Sequence, residues 1–265
     1  MKLSSSSGTV TIDDRHGARI TSLVMAGREW LTSSSPMHDH RRVFVREGLG
    51  GWDEACPTVA PCRVGGVDFG DHGALWSRPW RVTPHAGDRA TWLGEAPEIP
   101  LSLSRTMTLT DNALLLEYEL TVRAEHPLPI LWSAHPLFRA GPSSRFVVAG
   151  QPVAVEEWPV RGRRLSDPGR PLVTMSPDSA CKGFLLTADD VALEHGDGAR
   201  LTMAFTGAIS AVGLWWDRSL FGSEDTMAIE PTLAPTDRAD AGTVNKMGGG
   251  ATLEWGIRLT AMPGR

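Results

Sequence analysis

Four short segments combine residue types able to move protons or to hold a polyhydroxylated ligand. In Ile130-Leu131-Trp132-Ser133-Ala134-His135-Pro136-Leu137-Phe138, an apolar run closes on a histidine followed by proline. Pro136 fixes its own φ and biases His135 towards an extended backbone. A titratable imidazole at the rigid end of a strand suits a general acid; a structural core histidine fits the same pattern. In Met227-Ala228-Ile229-Glu230-Pro231, one carboxylate closes an apolar run, again before a proline. Burial disfavours its charge and raises its pKa, which suits a base working near neutral pH. Just upstream, Leu214-Trp215-Trp216-Asp217 sets an aromatic platform beside a hydrogen-bonding carboxylate.

The other two segments lie earlier in the chain. Gly70-Asp71-His72-Gly73-Ala74-Leu75-Trp76-Ser77-Arg78-Pro79-Trp80 places a histidine between Asp71 and Gly73, with Trp76, Arg78 and Trp80 close behind. Such a group can bind and orient a polyol, although a lone histidine more often serves structure. Arg46-Glu47-Gly48-Leu49-Gly50-Gly51-Trp52-Asp53-Glu54-Ala55-Cys56-Pro57 packs charges, glycines and an aromatic together. A loop of this kind lets backbone approach a ligand closely; an ordinary turn-rich connection would read the same way. Met37-His38-Asp39-His40 puts two imidazoles on one face of any strand, as a metal site would. A cupin-like site would also need a carboxylate four or five residues on, and Phe44 and Val45 stand there. No metal is expected.

These residues need rigid elements to position them, and alternation with period two supplies the pattern. Leu101, Leu103, Met107 and Leu109 alternate with Ser102, Ser104, Thr106 and Thr108. Asp111-Asn112 reads as a turn, and Leu114, Leu116, Tyr118, Leu120 and Val122 then alternate with Glu117, Glu119, Thr121 and Arg123. This predicts a hairpin with one wet face. Ala251 to Thr260 repeats the pattern. Gly183–Thr187, Val191–His195 and Arg200–Phe205 read as three strands joined by tight Asp/Gly turns. No window carries a 3.6-residue apolar stripe, and 28 Gly and 19 Pro are spread throughout. The expectation is an all-β, large antiparallel β-sandwich with few short helices, built as a single domain over residues 1–265. Arg161–Arg170 and Pro235–Gly250 read as loops.

Composition narrows the classes. A domain of this size buries roughly 75% of the surface its unfolded chain exposes, so no staple is needed. Lys plus Arg number 26 against 31 Asp plus Glu, a formal charge of -5, which argues against a nucleic-acid partner. Cys56, Cys62 and Cys181 form no Cys-x-x-Cys pair, so a disulfide framework is not expected, and three free thiols fit a reducing cytosol. Met1–Gly8 lacks the apolar run of a secretory signal, and no stretch approaches the roughly 18 apolar residues of a membrane span. A cytoplasmic protein is expected. With 10 Trp and 1 Tyr, indoles are available to stack on sugar C–H faces or simply to fill the core.

Taken in order, the four segments resemble the aldose 1-epimerase, or galactose mutarotase-like, superfamily, which includes hexose-6-phosphate epimerases. Gly48–Pro57 is similar to its Gly-rich segment, His72-Gly73 through Trp80 to its His-Gly element, His135-Pro136-Leu137-Phe138 to its His-Pro-x-Phe, and Glu230-Pro231 to its late Glu-Pro. Trp216-Asp217 is similar to a position that touches sugar hydroxyls. The resemblance spans about residues 10 to 260 and implies a cofactor-free enzyme interconverting α and β anomers of a small-molecule sugar. It implies that Glu230 takes the anomeric proton while His135 protonates the ring oxygen. His72, Asp217, Arg46, Trp76, Arg78 and Trp216 would contact substrate. Two features depart from the family: Asp71 stands where an Asn usually precedes the His-Gly, and no Asn-Arg pair is visible beyond Arg46. Arg42, Arg46 and Arg78 could form a phosphate cluster, but Glu47 and Glu54 would oppose it, so a neutral monosaccharide is expected. A non-catalytic sugar-binding protein on the same fold is the rival; a matched acid and base favours the enzyme.

Overall fold

The computed structural model describes residues 1–33, 49–85, 87–149, 154–186 and 188–265. The chain opens with β1 (Lys2–Ser5), β2 (Gly8–Asp13), β3 (Arg19–Met25) and the short β4 (Arg28–Glu29). After β5 (Gly51–Ala55) comes the small hairpin β6 (Cys62–Val64) and β7 (Val67–Phe69). A meander follows: β8 (Arg81–Pro84), β9 (Arg89–Ala96), β10 (Leu101–Leu109) and β11 (Leu114–Val122). Then come β12 (Leu128–Pro129), β13 (Ser133–Arg139), β14 (Arg145–Val148) and β15 (Ala154–Trp158). A three-residue 3-10 turn, Leu172–Thr174, precedes β16 (Ser179–Leu185) and β17 (Asp190–Glu194). The chain closes with β18 (Arg200–Gly207), β19 (Ala211–Arg218), β20 (Thr226–Thr232), β21 (Lys246–Met247) and β22 (Ala251–Met262).

Two large antiparallel sheets pack face to face. One has 10 strands, ordered β1-β2-β3-β5-β13-β20-β19-β16-β15 with β4 beside β3; the other has 8, ordered β14-β17-β18-β22-β11-β10-β9-β8. The alternating sequences explain the second sheet. β10 and β11 pair from Leu101–Val122 to Leu109–Leu114, and β22 adds alongside β11. Leu103, Met107, Leu116 and Leu120 point into the core while Glu117 and Glu119 stay exposed. The expected all-β sandwich is what forms, and the sole helical element among the described residues is that 3-10 turn.

The expected three-strand run is corrected in its connections. β17 and β18 do form a hairpin. β16, however, pairs with β15 and β19 in the 10-stranded sheet, so the segment after it crosses to the other sheet. Apolar residues fill both faces of the local pattern there, which hides the crossing from a reading by period alone.

A polar group lies between the sheets. Glu54 accepts hydrogen bonds from Arg105 Nη1 (2.6 Å), Tyr118 Oη (3.0 Å) and Trp132 Nε1 (2.8 Å), and Arg105 also bonds the Ala18 carbonyl. Glu54 and Arg105 are fully buried, and this saturation with donors is what makes a buried carboxylate tolerable.

Candidate active site

The face of the 10-stranded sheet turned away from the other sheet carries a cross-strand row of charged groups. Ile20 pairs with Trp52, which sets Arg19 beside Asp53; Asp53 pairs with His135. β13 and β20 share one register from Ser133–Thr232 to Phe138–Met227, which sets His135 opposite Glu230. Glu230 in turn pairs with Gly213 of β19. Cross-strand neighbours on one face have Cβ atoms only about 5 Å apart, so the sheet itself assembles the row Arg19, Asp53, His135, Glu230.

His135 and Glu230 were expected at strand ends. They sit instead inside β13 and β20, each with its proline. The ladder between these strands is open from Ser133–Thr232 to Phe138–Met227. Pro136 and Pro231 fall within that gap, and a proline has no N–H to give a ladder. The two strands continue past their prolines because each pairs on its other side, Pro136 with Trp52 and Pro231 with Val212.

Above the row lies a cavity of about 590 Å³, within the size range of small-molecule pockets. His72, His135, Lys182, Asp217, Glu230 and Asp237 all line it, and Trp158, Trp215 and Phe221 form one wall. His135 Nε2 is 3.7 Å from Glu230 Oε1, and Lys182 Nζ is 2.6 Å from Glu230 Oε2 and 2.6 Å from Asp237 Oδ1. Opposite Glu230, a Cβ on Gly213 would stand 3.1 Å from Glu230 Oε2; the glycine makes room for the carboxylate. The His72 ring meets the His135 ring edge-on, with centroids 4.5 Å apart. His72 Nδ1 lies 3.2 Å from Asp71 Oδ1.

His72 has φ 61°, in the left-handed region, a conformation that costs a non-glycine residue about 1 kcal/mol or more. Its turn is held by hydrogen bonds from His72 N to the Val59 carbonyl and from Ala74 N to the Cys56 carbonyl. Gly73 must follow it, since a Cβ there would meet the Cys56 carbonyl oxygen at 2.3 Å.

Burial governs the electrostatics. It pushes the Glu230 carboxyl above the usual carboxylate range, while Lys182 pulls it back and Asp237 pushes it up. Burial also holds His135 well below the ordinary imidazole value, helped by the nearby His72 ring and by the positive charges of Lys182 and Arg19. Each shift favours the uncharged form of its own group, and the two move the proton affinities of the pair towards one another. The Lys182 ammonium is the opposite case: Asp237 and Glu230 outweigh burial and hold it protonated.

The remaining expected residues divide. Asp217 lines the cavity and accepts hydrogen bonds from Leu220 N (2.7 Å) and Phe221 N (3.3 Å). It thereby fixes the turn that presents Phe221. Trp216 does not reach the cavity. It is fully buried, edge-on to Phe146 and under Arg170, while its neighbour Trp215, of opposite parity on β19, forms the wall. Trp76 is also buried, off the cavity wall. Arg78 pairs with Glu98 and likewise stays off the wall. Arg42, Arg46, His38 and His40 lie outside the described residues. Among the described residues, no three His, Cys, Asp or Glu side chains are grouped to hold a metal ion, and no helix is long and apolar enough to cross a membrane.

The sequence reading missed Lys182, Asp237, Trp158, Trp215 and Phe221 as cavity residues. One signal was available for Lys182. The chain has 23 Arg and only 3 Lys, so a lysine inside the apolar run Ala180-Cys181-Lys182-Gly183-Phe184 is conspicuous. Trp215 follows from parity once Asp217 is placed on the cavity face.

No protein-family model matches this chain, and no curated protein matches it by sequence. Solved structures do match it along nearly its whole length. A galactose mutarotase-like protein from Lactobacillus casei ATCC 334 shares 16% identity, covering 99% of each chain at a TM-score of 0.77. A galactose mutarotase related enzyme from Lactobacillus acidophilus shares 17%, covering 100% of this chain and 97% of its own at 0.75. A galactose mutarotase-like protein from Clostridium acetobutylicum shares 10%, covering 98% and 94% at 0.71. The fold is the galactose mutarotase-like β-sandwich.

Proposed function

We propose that this chain, acting as one domain over residues 1–265, interconverts the α and β anomers of a neutral aldose without a cofactor. The observation that carries this reading is the pairing of His135 with Glu230 across one rung of the sheet, at the floor of a cavity walled by aromatic rings. Ring opening at C1 removes the proton of the anomeric hydroxyl and delivers one to the ring oxygen. An acid and a base side by side, each reaching one of the two oxygens on that carbon, do both, and the pair needs to hold one proton between them. Glu230 takes the hydroxyl proton in its ionised form while His135 supplies the ring oxygen; closure on the other aldehyde face reverses the transfers. Activity then falls when the pair loses its proton or gains a second, and the two limbs of the pH profile belong to the pair rather than to either residue.

His72 and Asp71 offer polar contacts to hydroxyls, and Trp215, Trp158 and Phe221 offer a stacking surface with ring centroids 5.6–6.1 Å apart. The described cavity wall carries the carboxylates of Asp71, Asp217, Glu224, Glu230 and Asp237 against the single ammonium of Lys182, which favours a neutral sugar over a phosphorylated one. Three buried thiols without a disulfide support a reducing, cytoplasmic setting.

The test is exchange-spectroscopy NMR on free and 6-phosphorylated aldoses. Catalysed exchange between anomer signals is the expected result. Binding without exchange would replace the enzyme with a sugar-binding protein, and tighter, salt-sensitive binding of the phosphorylated form would overturn the neutral preference.

A further inference from the structure

The reading above uses Glu230 and His135 and leaves Lys182 unexplained. This lysine is one of three in the chain, its side chain is only 7% exposed, and it touches two carboxylates at the same distance, 2.6 Å. A buried charge is tolerated only where partners compensate it, and here the partners are unequal in kind. Glu230 belongs to the floor of the cavity. Asp237 comes from the loop after β20 and is anchored there: its carbonyl accepts from Val59 N, Ala60 N and Thr58 Oγ1. Lys182 also lies 5.4 Å from the centroid of the Phe184 ring, next along its strand face. Its ammonium is therefore held from three sides, and through it Glu230 Oε2 is fixed in place.

We propose that Lys182 is a positioning residue, clamped by Asp237, that fixes the Glu230 carboxylate and sets the pH window in which the Glu230–His135 pair can act. The proposal rests on the anomerase reading. Chemically, a fully buried carboxyl with no cation beside it would keep its proton at neutral pH and be no base. A cation with no counterweight would hold the carboxylate ionised and too weak a base to take a hydroxyl proton. Lys182 shared with Asp237 lies between these limits.

Other charges face the pair. His135 approaches from β13 and His72 from the turn before Gly73. The Arg19–Asp53 ion pair (2.8 Å) lies beyond His135 on β3 and β5. Glu157 of β15 feels both Lys182 and Asp237 and is paired with Arg161 at 3.2 Å. β19 puts the uncharged Gly213 at the rung of Glu230 and contributes the Asp217 carboxylate farther along the cavity wall. Lys182 and Asp237 are thus the oppositely signed neighbours whose removal changes the charge beside Glu230 most directly.

The experiment compares Lys182→Met, Asp237→Asn and Lys182→Arg with the wild-type chain, following kcat and KM from pH 4 to 10 by anomer exchange. Lys182→Met should move both limbs of the profile to higher pH by about one unit or more, the size expected when a cation in direct contact with a carboxyl is lost. Asp237→Asn should move both limbs to lower pH, and Lys182→Arg should return them towards wild type. In parallel, the carboxyl carbons of ¹³C-labelled glutamate are titrated by NMR in the same proteins, with Glu230→Gln identifying the Glu230 signal. That signal should titrate higher in Lys182→Met and lower in Asp237→Asn. Limbs and titration that stay in place, or a rise in KM alone, overturn the proposal and leave Lys182 as a packing or sugar-contacting group. Should Lys182→Met fail to fold, the downward shift in Asp237→Asn decides alone. Should the wild type bind sugar but show no exchange, the anomerase reading falls while the titration still tests the clamp.

Discussion

Glu54 and Glu230 are both buried carboxylates of the same 10-stranded sheet, and they face opposite sides of it. Glu54 points between the sheets, where Arg105, Tyr118 and Trp132 all donate to it. Glu230 points out to the cavity, gripped on one oxygen by Lys182 and approached on the other by His135 at 3.7 Å. Burial pushes both carboxyls upward in pKa. Burial and a shifted proton affinity therefore do not separate a structural acid from a reactive one. Saturation does: every approach to Glu54 is a donor in place, whereas Glu230 keeps a side turned to the volume a ligand would fill.

The largest expected effect falls on the cavity side. Glu230→Gln and His135→Asn should each cut the anomer exchange rate by about 10²–10⁴ while leaving urea unfolding near wild type; near-normal exchange in either folded variant would end the assignment. The same kind of change on the interior side should invert the outcome. Arg105→Met leaves Glu54 buried without its cation and should cost about 3–5 kcal/mol of stability, measured by urea unfolding. The fraction that stays folded should bind sugar normally.

The adjacent tryptophans of β19 give a smaller version of the same contrast. Trp215→Ala should weaken sugar binding about five-fold, equal to ~1 kcal/mol, with little loss of stability. Trp216→Ala should cost about 3–5 kcal/mol of stability and leave the affinity of folded protein unchanged, by calorimetry. Reversed results would place the wall on the wrong parity. The smallest effect belongs to Arg78→Ala. It removes a partly exposed pair with Glu98, should change stability by about 1 kcal/mol or less, and should leave sugar affinity alone.

Much of the fold was legible because alternation in β10, β11 and β22 reports directly which side of a strand is wet. As cavity-lining residues, His72, His135, Asp217 and Glu230 were also legible, since each puts a polar group into or at the end of an apolar or glycine-rich run. Lys182 was not read, because its meaning depends on two carboxylates from distant strands and loops. Trp216 was chosen over Trp215 because a two-residue aromatic pair does not say which member faces inward. Trp76 and Arg78 follow His72 closely in sequence, but the left-handed turn at His72 carries the chain away from the cavity.

The open rungs between β13 and β20 bear on how the molecule assembles. Residues 135 and 230 lie roughly a hundred positions apart, and contacts of such long separation carry the greatest loop-closure cost and form slowly. The seam joins β1, β2, β3, β5 and β13 on one side to β15, β16, β19 and β20 on the other. Its middle is stitched by side chains rather than by backbone. On dilution from urea, anomer exchange should accordingly return later than the signal of the local β10–β11 hairpin, making catalysis a reporter of the last step in docking the two halves of the sheet.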